Sequence, residues 1–143
     1  MNDQPSQDRV VALLSDTING DISQIDELRR ASQAQLHQAG EALGGQLTFG
    51  RPTVLRILRE WRDGQLTDDQ VRCWALLMFY GGFPDDCRPP GARRGPGQPI
   101  DVDYSSDEAA NEVVFDLKDL GDFDDYGWSA ADRDSRIRQL SDS

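Results

Sequence analysis

The sequence predicts a mostly α-helical protein, a single-domain bundle of about five or six helices with room for one or two very short strands. Two observations support this fold class. Apolar residues recur at helical spacing along most of the chain, and capping residues and glycines stand where those stretches begin and end. The length of 143 residues fits one domain, 1–143, and is enough to enclose a core.

The first third of the chain contains two predicted helices. One spans about 8–18 and ends at an Asn-Gly pair. The second opens at Ser23, a capping residue, and spans about 23–43, although its apolar stripe is thin between 28 and 36. Residues 46–49 fit either a short strand or an ordered turn.

A helical hairpin is predicted between 52 and 82. Pro52 suits the first turn of a helix, and Thr67-Asp68-Asp69-Gln70 is a capping box at the start of the next. Trp61 and Trp74 lie in the two apolar stripes, so we expect both indoles to be largely buried.

A segment rich in glycine and proline follows the hairpin. Ten of the nineteen residues in 81–99 are Gly or Pro, which predicts an exposed, flexible loop within the domain. Alternating apolar and acidic residues at 100–104 predict a short strand. Helices are predicted at about 106–120 and, more weakly, at 129–140.

The charge is concentrated in one segment. The chain has a net charge of −11, and residues 100–125, the acidic segment, carry ten carboxylates against one lysine, Lys118. This charge opposes general binding to nucleic acid or anionic lipid and favours a basic protein partner. An enzyme is not expected.

The predicted binding surface lies in the acidic segment. On the helix at 106–120, Phe115 shares the face opposite the apolar stripe with carboxylates, as an aromatic anchor with a polar rim would. The alternative is that Phe115 packs under the C-terminal tail. The predicted partner-binding residues are Asp101, Asp103, Glu108, Glu112, Phe115, Asp119, Asp122, Asp124 and Asp125.

No cofactor or metal is expected. Two cysteines and one histidine are too few for a closed zinc site, and Cys73 and Cys87 are expected to be structural or incidental thiols. His37 fits a surface position rather than a general base. Carboxylates at 101, 103 and 107 suggest a calcium loop, but Ser106 replaces its required glycine.

The arginines of the hairpin raise a nucleic-acid alternative. Arg56, Arg59 and Arg62 form one row, as in a helix-turn-helix reader of DNA. The leading turn of the second helix carries Asp68 and Asp69, which would repel phosphates. Solvated or intramolecular arginines are therefore the favoured interpretation.

The location predicted from the sequence is cytoplasmic. No run approaches the 18 or so apolar residues of a membrane span, and Met1-Asn2-Asp3-Gln4-Pro5 lacks the features of a secretion signal.

The hairpin also resembles a known pattern. Residues 58–67, with Val71 and Trp74-Ala75, form a helix ending in Trp-x-x-Gly, a Leu-Thr cap and a helix carrying Trp-Ala, and 111–117 follow as a Glu-Val helix. This arrangement resembles small bacterial immunity proteins of polymorphic toxin systems, including contact-dependent growth inhibition. The resemblance implies a protein that neutralises a cognate toxin, often a nuclease, and its motif residues are core and caps rather than toxin contacts.

Overall fold

The structure is a computed structural model that describes residues 5–83, 87, 101–103, 108–118 and 130–141. Within them, seven helices and two short strands follow in the order α1 (Gln7–Ile18), α2 (Ile25–Leu28), α3 (Gln33–Ala42), β1 (Gln46–Thr48), α4 (Arg51–Arg62), α5 (Asp68–Tyr80), β2 (Asp101–Asp103), α6 (Glu108–Leu117) and α7 (Ala130–Ser141). The prediction of a mostly helical bundle with very short strands is confirmed. None of these helices is both long and apolar enough to cross a membrane.

The helix predicted at 23–43 is two helices. Ser32 begins α3 with a complete capping box: its hydroxyl accepts the Gln35 N–H at 3.1 Å, and the Gln35 side chain accepts the Ser32 N–H at 3.0 Å. The prediction of one continuous helix is therefore wrong. The thin part of the stripe, between Leu28 and Leu36, is the turn that separates α2 from α3.

The helices pack around one hydrophobic core. The first helix, α1, lies mainly against α3, α4 mainly against α7, and α5 mainly against α6. Trp61 and Trp74 are 5% and 0% exposed, which confirms their predicted burial. The Trp61 indole N–H donates to the Asp68 carboxylate at 2.8 Å, so it joins the end of α4 to the start of α5.

The two strands are a parallel pair. Leu47 of β1 stands opposite Val102 of β2, and α4 and α5 belong to the crossover that a parallel connection needs. The strand alternative at 46–49 is thus the observed one, and β2 falls inside the strand predicted at 100–104.

The expectation that Cys73 and Cys87 are two thiols is wrong. Cys73 of α5 and Cys87 form a disulfide with their Cα atoms 5.8 Å apart. Both cysteines are fully buried, and Arg29 donates from Nε to the Cys87 carbonyl while its Nη1 lies 3.0 Å from Asp69 of α5. The beginning of the predicted loop is therefore attached to the core.

The same attachment holds for residues 81–83, which are buried. Within the predicted loop 81–99, these three residues and Cys87 are the ones that the structure describes. The remaining positions, 84–86 and 88–99, lie outside the described residues, and their flexibility stays a prediction.

Candidate protein-binding surface

Helix α6 has two faces of opposite character. Its buried face is fully enclosed and consists of Ala110, Val113, Val114 and Leu117. Glu108, Glu112 and Phe115 follow one another at spacings of four and three on the other side, and all three are exposed. The structure thus brings together three of the predicted binding residues in one row.

Phe115 is half exposed, at 50% of its surface. Its ring meets the edge of Phe79 on α5 at a centroid distance of 5.6 Å and an interplanar angle of 65°. Phe79 in turn meets Tyr80 at 4.8 Å, and Tyr80 is 51% exposed. We call Phe79, Tyr80 and Phe115 the aromatic patch.

The C-terminal end of α5 supplies two of these rings. Its apolar residues are consecutive, so they occupy every side of the helix and not one face alone. From Val71 to Met78 the helix is enclosed on almost every side. Gly81 then ends it in the left-handed conformation, with φ +75°, and its N–H donates to the Leu77 carbonyl at 2.8 Å. In the last turn, Phe79 is partly buried and Tyr80 is exposed.

Neither Phe79 nor Tyr80 was predicted to lie at the surface. A signal for them exists in the unbroken apolar run 73–80, which wraps around the whole helix. Such a run must either be buried all round or leave some large side chains at the surface.

Lys118 lies over the aromatic patch. Its ammonium nitrogen is 4.4 Å from the centroid of Phe115 and 5.1 Å from that of Phe79. Both distances lie within the range of cation–π attraction, about 6 Å. One cation therefore contacts two rings that belong to different helices.

The other predicted binding residues are placed only in part. Asp101 and Asp103 stand in β2, opposite Gln46 and Thr48 of β1. The remaining four, Asp119, Asp122, Asp124 and Asp125, lie outside the described residues.

One carboxylate of the acidic segment is used inside the molecule. Asp116 pairs with Arg136 of α7 at 2.6 Å, so its charge is neutralised by a neighbouring helix. Glu108 and Glu112, which precede Asp116 at spacings of eight and four on the same side of α6, are exposed.

The arginine row of α4 is engaged with the protein itself. Arg59 donates to the Ser141 hydroxyl at 3.1 Å, Arg56 lies 3.8 Å from Glu60, and Arg62 lies 3.1 Å from Asp63. These contacts agree with intramolecular arginines rather than a nucleic-acid reader. His37 is exposed on α3, as expected.

The described residues contain no group of three or more His, Cys, Asp or Glu side chains arranged to hold a metal ion. Comparison of the chain with protein-family models, with curated proteins and with solved structures finds no match. The row on α6 and the aromatic patch form one surface that combines exposed carboxylates with exposed aromatic rings.

Proposed function

We propose that the protein is an immunity protein that binds a cognate basic toxin, a nuclease, and neutralises it by covering the active site or substrate channel. The observation that carries the proposal is the half-exposed Phe115 beside the exposed carboxylates Glu108 and Glu112. Aromatic anchors with a polar rim are the usual centre of a tight protein–protein interface.

The charge supports a basic partner. A nuclease needs a cationic surface to hold its substrate, and an acidic inhibitor face is attracted to that surface and competes for it. The acidic segment holds ten carboxylates in 26 residues, and this charge density favours attraction to a cationic surface. The toxin class comes from the sequence resemblance of the hairpin, and the surface supports a basic protein partner more generally.

A second candidate uses the same surface. An acidic adaptor or regulatory subunit would also bind a basic protein through α6, without inhibiting a toxin. Gene context separates the two: a neighbouring gene for a large secreted protein with a variable C-terminus favours immunity. Cells that express that C-terminal domain should survive only when this protein is co-expressed, and continued killing would contradict the proposal.

The acidic row should determine the association rate. Glu108→Lys combined with Glu112→Lys should slow association with the purified toxin domain, and raising salt from low to physiological should slow the wild type steeply. The matched control is Asp16→Lys combined with Glu41→Lys, which changes the net charge equally on α1 and α3. Equal slowing in both variants would show that overall charge, not α6, guides the encounter.

Phe115 should determine the dissociation rate. Phe115→Ala should weaken binding by about 2 kcal/mol, mostly through faster dissociation, if the ring fills a pocket on the toxin. The melting temperature should change little because half of the ring is already exposed. A variant that unfolds would identify Phe115 as a core residue instead.

A further inference from the structure

The contact between Lys118 and the aromatic patch places a cation on a long side chain over two rings that belong to well-packed helices. Phe79 is held in the last turn of α5 and Phe115 in α6, a helix whose inner face is completely buried. Lys118 follows the last residue of α6 and has a long side chain with many rotamers. The helices that carry the two rings are therefore held by the core, whereas the ammonium reaches the rings from the end of a side chain that can take other rotamers.

The surroundings favour a cation at this place. The faces of aromatic rings carry negative electrostatic potential, and Phe115 continues the row that contains Glu108 and Glu112. A guanidinium stacks on aromatic rings more readily than an ammonium because it is planar and more weakly hydrated. Arginine is thus the side chain that these two rings suit best.

We propose that Phe79 and Phe115 form a binding site for an arginine side chain of the basic partner, and that Lys118 occupies this site in the unbound protein. On binding, the partner's guanidinium replaces the Lys118 ammonium over the two rings. The inference rests on the proposed function for the source of the arginine, and it adds the chemical group that is recognised and the residue that is displaced.

The chain offers a direct probe because Lys118 is its only lysine. Reductive methylation with ¹³C-formaldehyde labels the ε-amine and keeps its charge, and a Lys118→Arg variant assigns the signal by losing it. Ring currents should shift this signal upfield relative to the same label in Phe115→Ala. A signal that does not differ between the two proteins would overturn the inference.

The displacement is tested with a tetra-arginine peptide. As the peptide saturates the labelled protein, the Lys118 signal should move downfield, toward its position in Phe115→Ala. Peptide binding seen by calorimetry without this movement would show that Lys118 stays on the rings, and the inference would fail. Absence of any peptide binding to the wild type would also overturn it.

Two variants distinguish a cation site from general attraction. Lys118→Met should tighten binding of the peptide by about threefold more than Arg138→Met, which removes one exposed positive charge from α7. Phe115→Leu, which keeps an apolar side chain but has no ring, should weaken binding. Equal effects of the two Met variants would overturn the inference.

Binding of the toxin domain then separates the two proposals. If the toxin binds wild type and Lys118→Met equally well, the arginine site fails while the immunity function stands. If the peptide displaces Lys118 but the toxin domain does not bind at all, the proposed toxin partner fails while the arginine site stands.

Discussion

Trp61 and Phe115 are both aromatic residues on amphipathic helices, and their neighbours give them opposite roles. Trp61 is almost enclosed, its N–H is bonded to Asp68, and the Arg133 guanidinium lies 5.0 Å from its ring. Phe115 forms a T-shaped pair with Phe79, lies under the Lys118 ammonium and is half exposed. The sequence predicted both positions correctly. Trp61 lies within the apolar stripe of its helix, and Phe115 lies on the face opposite the apolar stripe of its helix.

Replacing either buried tryptophan should destabilise the fold strongly. Trp61→Ala or Trp74→Ala should lower the free energy of unfolding by about 3–5 kcal/mol, since each leaves a large cavity in the core. Urea denaturation measures this loss. A loss under about 1 kcal/mol for both would mean that the hairpin is not part of the core.

Asp21 gives the protein a small pH dependence. The Ser23 hydroxyl donates to its carboxylate at 2.7 Å, and this hydrogen bond lowers the pKa of Asp21 below its usual value. A lowered pKa means that the carboxylate form stabilises the fold at neutral pH, and that this stabilisation is lost as the pH falls through the folded pKa.

Ser23→Ala tests this dependence. It should lower the melting temperature slightly at pH 7, and the difference from wild type should narrow as the pH falls below the usual aspartate range, about 4. In an Asp21→Asn background, Ser23→Ala should change the melting temperature by the same amount at pH 7 and below about pH 4. A difference that widens in acid would contradict the assignment.

Capping residues mark the beginnings of both α3 and α5, but only the boundaries of α5 were predicted from them. Thr67 and Gly81 mark the two ends of α5 as the sequence indicates, because capping box and left-handed glycine are local devices. The capping box of Ser32 and Gln35 was overlooked because the residues on both sides of it are helix formers. Its chemistry is nevertheless the same as that of Thr67 and Gln70.

Removing the cap should therefore weaken α3. Ser32→Ala should cost about 1 kcal/mol in urea denaturation, because it leaves the Gln35 N–H without its acceptor. Ser15→Ala, inside α1, is the matched control and should be close to neutral. Equal losses in the two variants would contradict a capping role for Ser32.

Links between residues far apart in the sequence determine features of the fold that local patterns do not predict. The pairing of Cys73 with Cys87 spans 14 residues, and no local rule on two cysteines distinguishes a disulfide from two thiols. The disulfide also bears on the expected cytoplasmic location, since disulfides persist mainly in oxidising compartments and are rare in the cytosol. The disulfide favours an oxidising compartment, whereas the sequence pattern predicts the cytoplasm.

Reduction of the disulfide should lower stability measurably. Closing a loop of this length stabilises a fold by about 3 kcal/mol, so a reductant should lower the melting temperature of the wild type. A Cys73→Ser/Cys87→Ser variant should melt near the reduced wild type and should not respond to the reductant. Identical melting of oxidised and reduced wild type would contradict a stabilising role.

The position of α7 against α4 has a consequence for the order in which the protein folds on the ribosome. Arg51 donates to the Leu140 carbonyl across 89 residues, and β1 pairs with a strand that begins 55 positions later. Folding generally proceeds as synthesis proceeds, but long-range contacts must wait for both partners. The apolar face of α4 therefore emerges long before the helix that covers it, and the nascent chain is most exposed to aggregation and to chaperones during that interval.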